Sequence, residues 1–138
     1  MTSDVQINDA TEAITQRFIA NWDAVSTPFT LDNENFTAPD STPWIRMTIR
    51  FTVAGQYTLG QPGNRKWQRK GLIIGNIFVP ANGGRQKADQ LAQTFKDIFE
   101  GNHFGPIEAY DANVKELGTD GLWFQVAVQV DFNYNELK

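Results

Sequence analysis

Residues 43–57 read PWIRMTIRFTVAGQY, and the fold turns on how this stretch is understood. Ile45, Met47, Ile49, Phe51 and Val53 alternate with Trp44, Arg46, Thr48, Arg50 and Thr52. A period of two puts the first set on one face of a β-strand and the second on the other. The next apolar run, Leu72 to Val79, is apolar on both phases, which predicts a central or doubly covered strand. Between the two lies LGQPGNRKWQRKG, in which Pro62-Gly63-Asn64 signals a turn. The pair is expected to form a long basic β-hairpin with a charged tip.

Outward from this hairpin, Pro80 ends the second strand and Asn82-Gly83-Gly84 opens a helix over about residues 84–100. Its apolar face is Ala88, Leu91, Ala92, Phe95, Ile98 and Phe99, and Gly101 stands where a C-terminal capping glycine belongs. Strands are predicted near 106–117 and 121–134, joined by Gly118-Thr119-Asp120-Gly121. In the last, Leu122, Phe124, Val126, Val128, Val130, Phe132 and Tyr134 face one way, and Trp123, Gln125, Ala127, Gln129, Asp131 and Asn133 the other. On the N-terminal side, Ile7, Ile14, Phe18, Trp22 and Val25 mark one stripe of a helix over 4–25, which Pro28 ends. A polar linker to Pro43 follows, with Phe29, Leu31 and Phe36 as anchors and Phe29–Leu31 as a short edge strand. The expectation is a single α+β domain over 1–138, in the order α-β-β-α-β-β. Its sheet is mainly antiparallel, of four to five strands, with both helices packed on one face.

Composition narrows the function. A chain of 138 residues buries roughly two thirds of its unfolded surface, and ten Phe, four Trp and three Tyr can fill a core. The absence of cysteine excludes disulfides, thiolate metal sites and thiol nucleophiles, and fits a reducing cytosol. No apolar run reaches the roughly 18–20 residues that span a bilayer. The polar, acidic start, MTSDVQIND, reads as neither a signal nor a transit peptide.

Charge is strongly segregated. Between Arg46 and Lys96, nine of the twelve basic residues meet one acid, Asp89. Residues 1–45 hold seven acids against Arg17, and residues 97–138 hold eight against Lys115 and Lys138. A basic band near +8 thus lies between two segments near −6. Opposite patches on identical subunits favour head-to-tail association, which generates rings or filaments.

Three of the four tryptophans are out of step with the expected core. Trp44 and Trp123 fall on the polar phase of their strands and Trp67 sits in the charged loop. Aromatics and arginines concentrate at interfaces, so Trp44, Trp123, Arg46 and Arg50 are candidate contacts. The alternative is that a helix covers this face and buries both strand tryptophans as ordinary core. Arg65, Lys66, Arg69 and Lys70, with Trp67 among them, form the strongest basic cluster. It suits docking to an acidic protein patch, a nucleic-acid backbone, or nothing beyond solvation of a hairpin tip. Asn82-Gly83-Gly84-Arg85 lacks the full phosphate-loop pattern and reads as a helix entry. The lone His103 has no nucleophile and orienting acid at useful spacing and reads as a loop residue. Asp32, Glu34 and Asp40 match no calcium loop and read as a solvated linker. No catalytic residue, cofactor or metal is expected.

Taken together, the helix carrying Phe18 and Trp22, the segment PWIRMTIRF, the run GLIIGNIFVPANGGRQKADQLAQTF and the closing GLWFQVAVQVDFNY resemble the tail terminator proteins of long-tailed bacteriophages. The resemblance implies an α/β subunit that forms a hexameric ring, caps the last ring of tail-tube protein, stops tube polymerisation and meets the head–tail connector protein. DNA passes through the lumen as cargo, no membrane is involved, and the subunit resides in the virion tail after assembly in the host cytoplasm. Cations lining such a lumen would grip the DNA, so the basic band should face protein. Two other classes stay open: a small cone-shaped α+β-barrel ligand-binding protein or enzyme, and a single-stranded nucleic-acid binder using the basic hairpin.

Overall fold

The computed structural model describes residues 6–23, 27–32, 34–39, 41–56 and 66–137. The elements are helix α1 (Ile7–Asn21), strands β1 (Phe29–Leu31), β2 (Trp44–Gln56) and β3 (Lys66–Pro80), helix α2 (Gln86–Phe99), and strands β4 (His103–Phe104), β5 (Ile107–Asp120) and β6 (Trp123–Leu137). The fold is α+β. Six strands form one mixed sheet in the order β1-β2-β3-β6-β5-β4, in which β1 runs parallel to β2 and the other pairs are antiparallel.

The sheet is wider than the four to five strands expected, because two short edge pieces join it. β1 is the anticipated edge strand, yet it pairs in parallel, Phe29 beside Ile45 and Leu31 beside Met47. β4 stands where the sequence predicts a loop; it holds His103 opposite Glu108, and two residues carry too little periodicity to be seen. The β5–β6 turn also lies two residues later than expected. Asp120 pairs with Trp123, leaving Gly121-Leu122 as the turn, with Gly121 at φ 63°. Leu122 is therefore an exposed turn residue and not part of the apolar face. Gly118, at φ 84°, sits instead in an irregularity of β5 between Glu116 and Gly118.

The alternation read in residues 43–57 holds in part: Ile45 and Met47 are buried and Arg46 and Arg50 exposed, but Trp44 and Thr48 of the outer phase are buried too and Phe51 is 43% exposed. Ile45 and Met47 are buried beside Ile77 and Gly75 of β3, which lie in turn beside Val126 and Val128 of β6. α2 covers this inner face with the six residues foreseen, all buried. α1 is shorter than its stripe suggested and buries Ala10, Ile14 and Phe18, while Ile7 is exposed; Val25 lies outside the described residues. Trp22 closes the helix, its indole N–H donating to the Thr27 carbonyl at 3.0 Å, and its ring stacks on Phe18 at 5.3 Å. Of the linker anchors, Phe29 meets Phe18 edge-on at 5.1 Å.

The tightest contact between the layers is at Gly75. A Cβ there would come within 2.8 Å of the Phe95 ring. Phe95 cannot retreat cheaply, because Phe18, Trp22 and Phe99 surround it at 5.9, 6.5 and 5.1 Å between centroids. Gly75→Ala should lower unfolding stability by about 1–3 kcal/mol, as overpacking does, seen as a lower denaturant midpoint at unchanged slope. Gly55→Ala, with nothing within 4 Å, should stay within about 0.5 kcal/mol.

Candidate assembly interface

The sheet face turned away from the helices carries most of the charged and aromatic candidates, and strand register places them. One row runs Trp44, Phe78, Gln125; others run Arg46, Asn76, Ala127, Lys115 and Arg50, Leu72, Asp131. Across its width this face is cationic on β2 (Arg46, Arg50) and β3 (Lys70), and anionic on β6 at Asp131.

Neither described helix covers this face, so the alternative of helix-buried tryptophans fails; yet Trp44 is not exposed either, at 6%. It is enclosed by its own chain: Phe78 stacks on it at 4.1 Å and 10°, Phe36 of the linker lies at 5.0 Å, and Trp123 meets it edge-on at 6.2 Å. Linker residue 36 does for Trp44 what a helix was expected to do. The Trp44 indole N–H is buried without a hydrogen-bond partner among the described residues. Trp123 is half-buried, and Arg46, exposed, lies over the Trp44 ring at 5.7 Å.

The basic cluster is not a two-stranded tip. β6 pairs with β3 as far as Lys66 opposite Leu137, so residues 66–70 belong to a three-stranded region. Arg69 forms a 2.8 Å ion pair with Glu136 and lies over the half-buried Trp67 at 5.7 Å. Part of the segregated charge is thus matched inside the subunit. Arg85 likewise pairs with Asp89 and with Glu116, and both acids, Asp89 most strongly, hold its guanidinium above the usual range. Arg65 lies outside the described residues, and Lys66 is exposed. Arg50 and Lys70 are exposed and form no ion pair among the described residues.

Several contributors were not legible in the sequence. Glu136 meets Arg69 only through the β3–β6 register, across 67 positions. Asp32 Oδ2 accepts from the Ile49 N–H at 3.0 Å, and Glu34 from the Leu31 N–H at 3.3 Å, so these linker carboxylates cap backbone rather than merely solvate. Asp40 lies outside the described residues. A cleft of about 530 Å³ lies at the Lys70–Asp131 end of the outer face, with Thr52, Tyr110 and Asp111 in its walls. Beside it Asn133 donates to the Tyr110 hydroxyl, which donates to Glu108 at 2.9 Å. The cleft lining is polar and charged as well as apolar. Among the described residues no group of three His, Asp or Glu could hold a metal, and no helix is long and apolar enough to cross a membrane.

Comparison with known proteins adds two positive findings. The sequence profile of a family described as phage tail terminator protein matches residues 9–132. A solved structure superposes at a TM-score of 0.64 and 16% identity, covering 90% of this chain and 94% of that chain; at that identity the likeness concerns the fold alone. No curated protein matches the chain.

Arg69→Ala should cost about 1 kcal/mol, since it strands the partly buried Glu136, whereas exposed Lys70→Ala should leave the denaturation midpoint unchanged. The buried Tyr134 hydroxyl gives a pH test. Burial, with Glu136 adding and Arg69 opposing, pushes its pKa above 10.0. The folded chain then holds this proton more tightly than the unfolded one. That stability is intact below pH 10 and is lost as pH rises through the raised value. Tyr134→Phe should show a shallower loss of stability at alkaline pH than the parent.

Proposed function

The chain belongs to the phage tail terminator family, a family of structural phage-tail proteins, and on that premise we propose that it works by stoichiometric assembly. Copies close into a ring, hexameric as in the family pattern, that caps the tail tube, ends its polymerisation and presents its other face to the head connector. DNA passes through the lumen, and the ring sits at the head-proximal end of the virion tail. The observation that carries this reading is the family match over residues 9–132. The outer face supports it, because Arg46, Arg50 and Lys70 form no ion pair among the described residues and are set for an acidic protein partner. Residues 1–138 serve as one assembly unit, with Trp44 and Trp123 backing the contact rather than forming it.

The ligand-binding alternative needs a hollow on the inner face of the sheet. Here Phe18, Phe95, Phe99 and Phe132 fill that space, each buried. The nucleic-acid alternative draws on the same strand, where Glu136 holds Arg69 while Lys66 and Lys70 are exposed; filter binding across a salt series separates it, since phosphate contacts give a steep slope.

Electron microscopy of the protein at high concentration, and with tube protein added, should show closed rings; persistent monomers in both conditions refute the proposal. The Arg50→Glu, Lys70→Glu double variant should fail to form rings while its stability stays within about 0.5 kcal/mol of the parent, as expected for exposed sites.

A further inference from the structure

Both long flanks of the sheet end in strands that are only partly covered. On one side β1 covers β2 at residues 45–47 alone; on the other β4 covers β5 at Ile107 and Glu108 alone. Each flank is then blunted by one carboxylate. Asp32 takes the Ile49 N–H, and Glu100 Oε2 takes the Ala112 N–H at 2.9 Å. Past these caps no strand among the described residues lies on the outer side of either flank. With Ala112 facing outward and alternation along an antiparallel strand, the backbone N–H and C=O of Val114 and Glu116 also face out. Neither has a backbone partner beyond the β5–β6 ladder among the described residues.

The side chains along this flank are those of a strand awaiting a neighbour. Val114 sits opposite the fully buried Val128, yet is 50% exposed, and Leu117 is 55% exposed. An uncovered apolar strand edge is a template for another chain. Two irregularities, at Ala109/Ala112 and Glu116/Gly118, confine the regular run to Ala112–Glu116, about 17 Å of strand.

We infer that this run of β5 pairs with the uncovered part of β2, from Arg50 onward, in a second copy of the chain. This deepens the ring reading above and rests on it. Charge supports the choice of partner: beyond Glu116, which Arg85 already holds, β5 carries Glu108, Asp111 and Asp120 against Lys115, whereas β2 carries Arg46 and Arg50 and no acid. Strand direction supports it as well. β2, β3, β6 and β5 alternate in direction through three antiparallel steps, so β5 runs opposite to β2. Copies placed side by side in the same orientation therefore bring the two flanks together antiparallel, and the sheet continues from subunit to subunit. Such a contact is heterologous and closes only as a ring.

Val114→Pro deletes an outward N–H that serves no backbone bond among the described residues. It should leave the monomer folded and raise the concentration needed for assembly by about tenfold or more. Val114→Lys, which keeps the backbone intact and places a charge on the flank, is the second variant should proline disturb folding. Because the chain has no cysteine, mixing Lys115→Cys with Thr52→Cys subunits, both on the outer phase of their strands, under mild oxidation should give heterodimers joined by a disulfide. Rings that form normally from both Val114 variants, with no heterodimer in the mixture, overturn the pairing and leave the tail-capping role standing. A parent protein that stops tube growth while staying monomeric overturns the pairing together with the ring, and leaves only the tail-capping role. Rings whose Cys mixtures stay unlinked while the Val114 variants block assembly place the junction elsewhere and overturn it too.

Discussion

The architecture depends on β3 being bonded along its length on both sides. From Lys66 opposite Leu137 to Pro80 opposite Trp123 its ladder with β6 runs without a shift, whereas the β2–β3 and β5–β6 ladders each contain irregularities. A strand so placed must be apolar on one face and tolerant on the other, which is why Ile73, Ile77 and Val79 are buried while Leu72, Ile74 and Phe78 are half-covered. It also fixes where the charge goes. The residues following the turn signal are held in the middle of a sheet, so their cations point from a rigid surface and not from a swinging arm.

Rigidity extends to the helical layer through Gly75. With no side chain on that residue, α2 lies close enough for Phe95 to rest on the strand itself, and a ring of aromatic contacts closes over it. A layer packed this closely leaves little volume for a small molecule and gives a firm back to the exposed face. That suits a protein whose work is to present a surface at a fixed position within an assembly.

Much of this could be read from the residues, and the failures have physical causes. Strong periodicity gave β2, β3, β6 and the buried face of α2, because each buries one face over many residues. Short elements escaped: β4 has two residues, and the direction of β1 is set by where the linker brings Phe29, not by its own sequence. Trp44 was misread as surface because phase alone cannot show that Phe36, eight positions earlier, folds back over it. The pairing of Arg69 with Glu136 was invisible for the same reason, since it exists only through the β3–β6 register.

Segregation of charge along the chain is therefore not the same as separation in space. Antiparallel pairing brings the basic middle against the acidic C-terminal third, and Arg69 and Arg85 find Glu136 and Glu116 there. What survives as an imbalance is what the topology keeps apart: β2 and β5 lie two strands from one another, with β3 and β6 between them. The cations left on β2 cannot reach the acids of β5 within one subunit, but a neighbour placed alongside offers them at once. Partly exposed charge contacts are individually worth little and are screened by salt, so they select the orientation of approach, while backbone pairing and apolar side chains such as Val114 supply the hold. A sheet that neutralises its centre and leaves its two flanks unlike has a direction along which copies would add, and under the proposed pairing closure into a ring is what would end that growth.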